Sequence, residues 1–124
     1  MRDTVKVFQT LSDETRLRIL NLILERECCV CEVMQALEIS QSKASRGLTA
    51  LYDTGFLKMR KNGLWSLYSI DVAGISPCKS HLIAALKEAL KNNQVASLDK
   101  ERLADTKRIG VFCSNRLVKG RTNA

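Results

Sequence analysis

The sequence predicts a mainly α-helical domain of the winged helix-turn-helix class with a two-stranded β-hairpin wing, and three observations predict it. Two short adjoining segments, Val30–Leu37 and 40–54, carry apolar residues at helical spacing with start and stop signals between them. The second segment sets an apolar stripe against a polar and basic one. An alternating run then meets Asn62-Gly63, the strongest two-residue hairpin signal, and a second strand-like run follows. At 124 residues the chain is one domain's worth, able to bury roughly two-thirds of its unfolded surface.

Taken in order, Val5, Phe8 and Leu11 space a brief amphipathic helix over residues 4–11. Ser12 offers an N-cap, and Asp13 and Glu14 suit the positive end of the next helix, residues 13–25, with Leu17, Ile19, Leu20, Ile23 and Leu24 on a wide apolar face. Val30, Val33, Met34 and Leu37 stand at i, i+3, i+4 and i+7 in a two-turn helix that opens with cysteines. Ser40 caps the following helix and Gly55 stops it, with Ala44, Leu48, Leu51 and Tyr52 as its core stripe. Residues 57–61 and 64–70 make the hairpin strands around Asn62-Gly63. Ser76-Pro77 is an N-cap and N1 pair for a last main helix, with Leu82, Ile83, Leu86, Ala89 and Leu90 on one face. The expected division is a winged-helix domain over residues 1–93 and a basic tail over 94–124. That tail is expected to be partly ordered at most, with one weak helix near 98–107.

Apolar residues at 45% and charged residues at 27% exclude wholesale disorder. No apolar stretch reaches the roughly 18–20 residues of a membrane helix, and no membrane partner is expected. Met1-Arg2-Asp3-Thr4 has no apolar run behind it, so no secretory signal is expected and the expected location is cytoplasmic. Twenty Lys and Arg against 13 Asp and Glu, a formal charge of +7, favour an anionic partner, nucleic acid first. Five cysteines, an odd number, fit a reducing compartment better than a disulfide framework.

The polar stripe of residues 40–54 is the candidate reader of double-stranded DNA. Ser40, Gln41, Ser42 and Ser45 can bond phosphates or base edges near a helix N-terminus, and Lys43 and Arg46 add charge or a bidentate guanine contact. A charged stripe alone is more often a solvated face; the tight turn before it and the hairpin after it favour DNA. Lys58, Arg60, Lys61 and Asn62 suit backbone or minor-groove contacts, against the plainer role of a charged edge that blocks aggregation.

Cys28, Cys29 and Cys31 fall within four positions. In a regular helix, at ~100° per residue, Cys28 and Cys31 share a face while Cys29 and Cys31 diverge, so one ion on both would distort the first turn. A helix N-terminus lowers a thiol pKa and favours the thiolate that binds soft ions. Burial as small hydrophobes is the alternative fate. Zinc fits poorly, because there is no CxxC pair and His81 is the only histidine.

Three runs carry a resemblance: Leu11-Ser12-Asp13-Glu14-Thr15-Arg16-Leu17-Arg18-Ile19-Leu20, Glu27-Cys28-Cys29-Val30-Cys31-Glu32-Val33 and Ser40-Gln41-Ser42-Lys43-Ala44-Ser45-Arg46. Together they resemble the arsenic- and metal-responsive winged-helix repressors of the ArsR/SmtB family, over about residues 5–90. The resemblance implies a homodimer, joined through the first and last helices, that leaves its operator when As(III) or Sb(III) binds as inducer. No organic cofactor is implied. Cys29-Val30-Cys31 falls on the family's thiolate box. Met34 stands where arsenite-sensing members often carry a third cysteine, which leaves Cys28 or Cys113 as the third thiolate. The cadmium branch's N-terminal cysteines are missing, as is the zinc branch's Asp/His set apart from His81. Gly47 replaces a histidine often found after Ser-Arg in the reading helix. The rival readings are a cadmium or lead sensor, a thiol redox or persulfide sensor on the same fold, and a small thiol oxidoreductase. The oxidoreductase lacks a CxxC in a βαβ unit, and no enzyme activity is expected.

Overall fold

The computed structural model describes residues 1–108. Its elements are α1 (Arg2–Leu11), α2 (Glu14–Ile23), α3 (Val30–Leu37), α4 (Gln41–Asp53), β1 (Leu57–Asn62), β2 (Trp65–Ile70), α5 (Pro77–Ala89) and α6 (Gln94–Ala104). This is the winged helix-turn-helix that the sequence predicts. Among the described residues no helix is long and apolar enough to cross a membrane.

Side-chain caps begin most of the helices. Asp13, not Ser12, caps α2: its carboxylate accepts the Arg16 amide at 3.0 Å. The Ser12 hydroxyl turns back to the Gln9 carbonyl at 2.9 Å and closes α1 instead. Ser40 and Ser76 accept the amides of Lys43 and Lys79, three residues on, and so start α4 and α5. Between α3 and α4 the chain turns at Glu38, whose φ of 56° ends α3 in the left-handed region.

The core lies where α2, α3 and α4 meet. Ile19, Leu20, Leu22, Val33, Met34, Leu48 and Leu51 are fully buried there, each worth roughly 1.5–3 kcal/mol of transfer free energy. Gly47 marks a close approach of α4 to α2, since a Cβ at that position would collide with the Ile19 side chain. Tyr52, expected in the core stripe, is 43% exposed. One step of ~100° past Leu51 carries it out of the α4 interface.

The hairpin register runs from Leu57↔Ile70 to Asn62↔Trp65. Its loop is therefore Gly63-Leu64, one residue later than the expected Asn62-Gly63. Gly63 alone takes a positive φ, 62°, the requirement of a turn with glycine at its first central position. Cys28 adds a short third rung on the other side of β2. Its amide donates to the Tyr68 carbonyl at 3.0 Å and its carbonyl accepts from the Tyr68 amide at 2.8 Å.

Near the C-terminal end, α6 starts at the Asn93 cap, four residues before the expected helix. Its buried face is Ala96, Asp99 and Leu103, too polar a set for an apolar pattern to reveal. Asp99 is fully buried and bonds Arg18 at 2.8 and 2.9 Å and Arg102 at 3.0 Å. Those two arginines also donate to the Leu37 and Ala36 carbonyls at the end of α3. The pattern ties α6 to α2 and to the helix that precedes the turn.

Candidate nucleic-acid interface and thiol site

On α4, Ser42, Lys43, Arg46 and Thr49 face solvent, with Gln41 and the capping Ser40, and Ser45 is half-buried. Two i,i+4 bonds order the row: Gln41 Nε2 donates to Ser45 Oγ at 3.0 Å and Arg46 Nη1 to Ser42 Oγ at 3.1 Å. Below the row, Arg16, Lys43 and Arg46 line a groove of about 120 Å³ at the N-terminus of α2. The Asp13 carboxylate also lines this groove and already caps the N-terminus of α2, so Lys43 and Arg46 are the groups left to meet a phosphate oxygen. Gly47 faces Ile19 and not solvent, so this position contributes no reading group.

The wing splits the expected basic set. Asn62 is exposed at the tip, and Lys61 is exposed with its ammonium on Ser66 Oγ at 2.7 Å. Lys58 is exposed on β1. Arg60 instead turns back across β2 and clamps Glu27 with two bonds of 2.8 and 2.7 Å. The guanidinium holds the Glu27 carboxyl below its ordinary range.

The cysteines depart from the helical geometry expected of them. The helix begins at Val30, and Cys29 is its extended N-cap with φ −94° and ψ 171°. From there the Cys29 side chain folds over the first turn, and its sulfur lies 2.9 Å from that of Cys31, a hydrogen-bond contact well beyond the ~2.05 Å of a disulfide. No distortion of the turn is needed to bring the two together. The Cys31 hydrogen bond lowers the Cys29 thiol pKa, against burial, and the Glu32 backbone amide adds to the lowering. Both cysteines are buried, packed against Leu67 and Trp65 of β2.

Cys28 is elsewhere. Its side chain belongs to the main core, and its thiol points to the Arg26 carbonyl at 3.3 Å. Burial pushes that thiol up to about 12, the reverse of an activated thiolate. Cys113 lies outside the described residues. Among those described, no group of three His, Cys, Asp or Glu side chains is placed to hold a metal ion.

The groups that brace the pair were not singled out from the sequence. Glu32, with 4% of its side chain exposed, accepts the Cys29 amide at 3.0 Å, Arg26 at 2.6 Å and Arg108 at 2.9 Å. Glu32 is three residues past Cys29, which is capping-box spacing, legible once a cysteine is allowed as the cap. Residues after α6 cross the same place. Gln35 bonds the Lys107 carbonyl and amide at 2.7 and 3.0 Å, and that carbonyl lies 3.8 Å from the Cys31 sulfur.

Residues 13–58 match the family model described as bacterial regulatory protein, arsR family. The chain is 48% identical over 65 residues to the arsenic resistance transcriptional regulator ArsR1 of Pseudomonas putida, covering 52% of this chain and 51% of that protein. It thus spans about half of that relative's length. With the arsenical resistance operon repressor of Bacillus subtilis it shares 32% identity over 72 residues, covering 57% of this chain and 69% of that protein. The chain belongs to the arsR family of bacterial regulatory proteins. Among solved structures it is similar to HlyU from Vibrio cholerae, with a TM-score of 0.62, 27% identity, and 73% of this chain and 95% of that one covered. This arsR-family chain therefore carries the helix-turn-helix of a bacterial regulatory protein. The matched residues include the cysteine pair and the whole of α4.

Proposed function

We propose that this chain is a homodimeric repressor that releases operator DNA when trivalent arsenic or antimony condenses with Cys29 and Cys31. The observation that carries this reading is the pair of buried sulfurs 2.9 Å apart at the start of the helix before the DNA reader. Each thiol that bonds arsenic displaces one hydroxide from As(OH)₃ as water, with no change of oxidation state. A lowered Cys29 pKa and an apolar wall of Trp65 and Leu67 favour such a soft, thiophilic ligand over a hard cation. The names of two relatives, an arsenic regulator and an arsenical operon repressor, support the same inducer.

Cys113 is the third thiolate in this reading. Lys107 already passes the Cys31 sulfur, and six further residues reach up to about 20 Å. Cys28 is disfavoured by its high pKa and its place in the main core. DNA is read by Ser40, Gln41, Ser42, Lys43, Ser45 and Arg46, with Lys61 and Asn62 on the backbone and Arg60, clamped by Glu27, setting the pose of the wing. The dimer forms through α1 and α5. In the single chain α1 buries only Thr10 and leaves Val5 and Phe8 45% and 52% exposed. The site of action is the reducing cytosol.

The test is an arsenite titration, in reductant, of the protein bound to a duplex it has selected from a random pool. Release should be complete near one arsenite per thiol site. Emission of Trp65, the chain's single tryptophan, should change in step, because its ring packs on the cysteine pair. Cys29→Ser, Cys31→Ser and Cys113→Ser should still bind the duplex but not release it, whereas Cys28→Ser should respond. Normal release by a Cys29→Ser/Cys31→Ser protein would overturn the reading, and release only by cadmium would replace the inducer.

A further inference from the structure

The cysteine segment is built into the wing. Cys28 and Tyr68 exchange both backbone hydrogen bonds, at 3.0 and 2.8 Å, which makes residue 28 a third strand position beside β2. One residue earlier, Glu27 holds Arg60 of β1 with two bonds under 3 Å. One residue later, Cys29 and its partner Cys31 lie against Leu67 and Trp65, both of β2. Three successive residues, 27 to 29, are thus fastened to the hairpin by charge, by ladder and by packing. The recognition helix is further away in connectivity. It begins beyond the far end of α3, eight residues or about 12 Å along, and past the Glu38 turn.

A ligand must move one of the two sulfurs. They lie 2.9 Å apart, closer than two sulfurs bonded to one arsenic-sized atom stand, so an atom bonded to both spreads them. Cys31 sits inside the first turn of α3, where the helical backbone holds it. Cys29 is the extended N-cap, bonded through its amide to Glu32 and through its carbonyl to the Val33 amide but with φ and ψ outside the helix. It is therefore the residue that yields, and its neighbours on the yielding side are the wing attachments.

We infer that the wing carries the state of the thiol pair to DNA, with Glu27 as the residue that couples them through Arg60. This rests on the ligand-released repressor proposed above. Displacing Cys29 shifts the Cys28–Tyr68 rung and loosens the Glu27–Arg60 clamp, so the tip at Lys61 and Asn62 leaves the position it holds on the duplex. Glu27 touches no ligand atom in this scheme and acts by position alone.

Two measurements test it. In Glu27→Gln, the arsenite concentration that changes Trp65 emission should stay the same while the arsenite-induced loss of duplex affinity shrinks at least about threefold, a partial loss of coupling. In the unmodified chain, hydrogen exchange should quicken on arsenite binding at the Cys28 and Tyr68 amides and not at Ala36 and Leu37, at the other end of α3. An unchanged coupling ratio in Glu27→Gln, or quickened exchange confined to α3 and α4, would overturn the wing route while leaving the ligand reading intact. Absence of any Trp65 response or release in the unmodified chain would instead overturn the ligand reading, and this inference with it.

Discussion

Glu32 is a buried carboxylate that keeps its charge. Burial pushes its carboxyl upward, but the Cys29 amide, Arg108 and Arg26 outweigh that and leave it below the ordinary glutamate range. A depressed folded pKa adds stability above the unfolded value of about 4.3, and that stability is lost as pH falls through the lower folded value. Glu32→Gln should therefore cost about 1–3 kcal/mol at neutral pH, and the gap from the unmodified chain should narrow below about pH 4. Urea melts across that range check it; a gap independent of pH would mean the charge is not what holds the site. At Gly47 two effects compete. Alanine favours a helix over glycine by about 1 kcal/mol, whereas overpacking a full core costs about 1–3 kcal/mol. Because the new Cβ meets Ile19, itself fully buried, the second effect should win and Gly47→Ala should lower the melting temperature. A raised melting temperature would show that Ile19 can step aside.

At the level of elements, α4 and the wing should fail in different ways. Arg46 lies in the exposed row of α4, so Arg46→Ala should weaken duplex binding by roughly 1–3 kcal/mol and relax preference at one position per half-site. Lys61→Ala should weaken all sequences alike and make the salt slope shallower by about one. Binding measured at several salt concentrations on matched and mismatched duplexes separates the two. An unchanged affinity for Arg46→Ala, or a sequence-selective loss for Lys61→Ala, would reassign them. The elements themselves were mostly legible, because caps, helical spacing and glycine stops act over a few residues. The start of α6 was not. Its buried face includes Asp99, and only arginines from α2 and α6 itself make that burial tolerable.

For the whole molecule, Val7 and Leu11 of α1 pack on the core while Val5 and Phe8 stay exposed, which is why a second copy is proposed to cover that exposed pair. Phe8→Asp should yield monomers by sedimentation and lose tight duplex binding while the fold persists by circular dichroism. A dimer that survived it would move the interface off α1. Footprints should show two half-sites about one DNA turn, ~10 bp, or a multiple apart.

By itself the sequence determined the order of helices and strands, the outward row of α4 and the clustering of thiols, because each follows from periodicity or a cap within one segment. Tertiary structure decided how the thiols meet. A regular helix would have parted Cys29 from Cys31, but Glu32, braced by Arg26 and Arg108, and the β2 rung at Tyr68 hold Cys29 extended outside it. It also decided that Arg60 faces Glu27, that Gly47 faces Ile19 and that Cys28 is buried apart from the pair. Apart from the local Cys29–Glu32 and Arg26–Glu32 bonds, each of these depends on a residue tens of positions away or on a neighbouring strand, and spacing along the chain carries no record of such contacts.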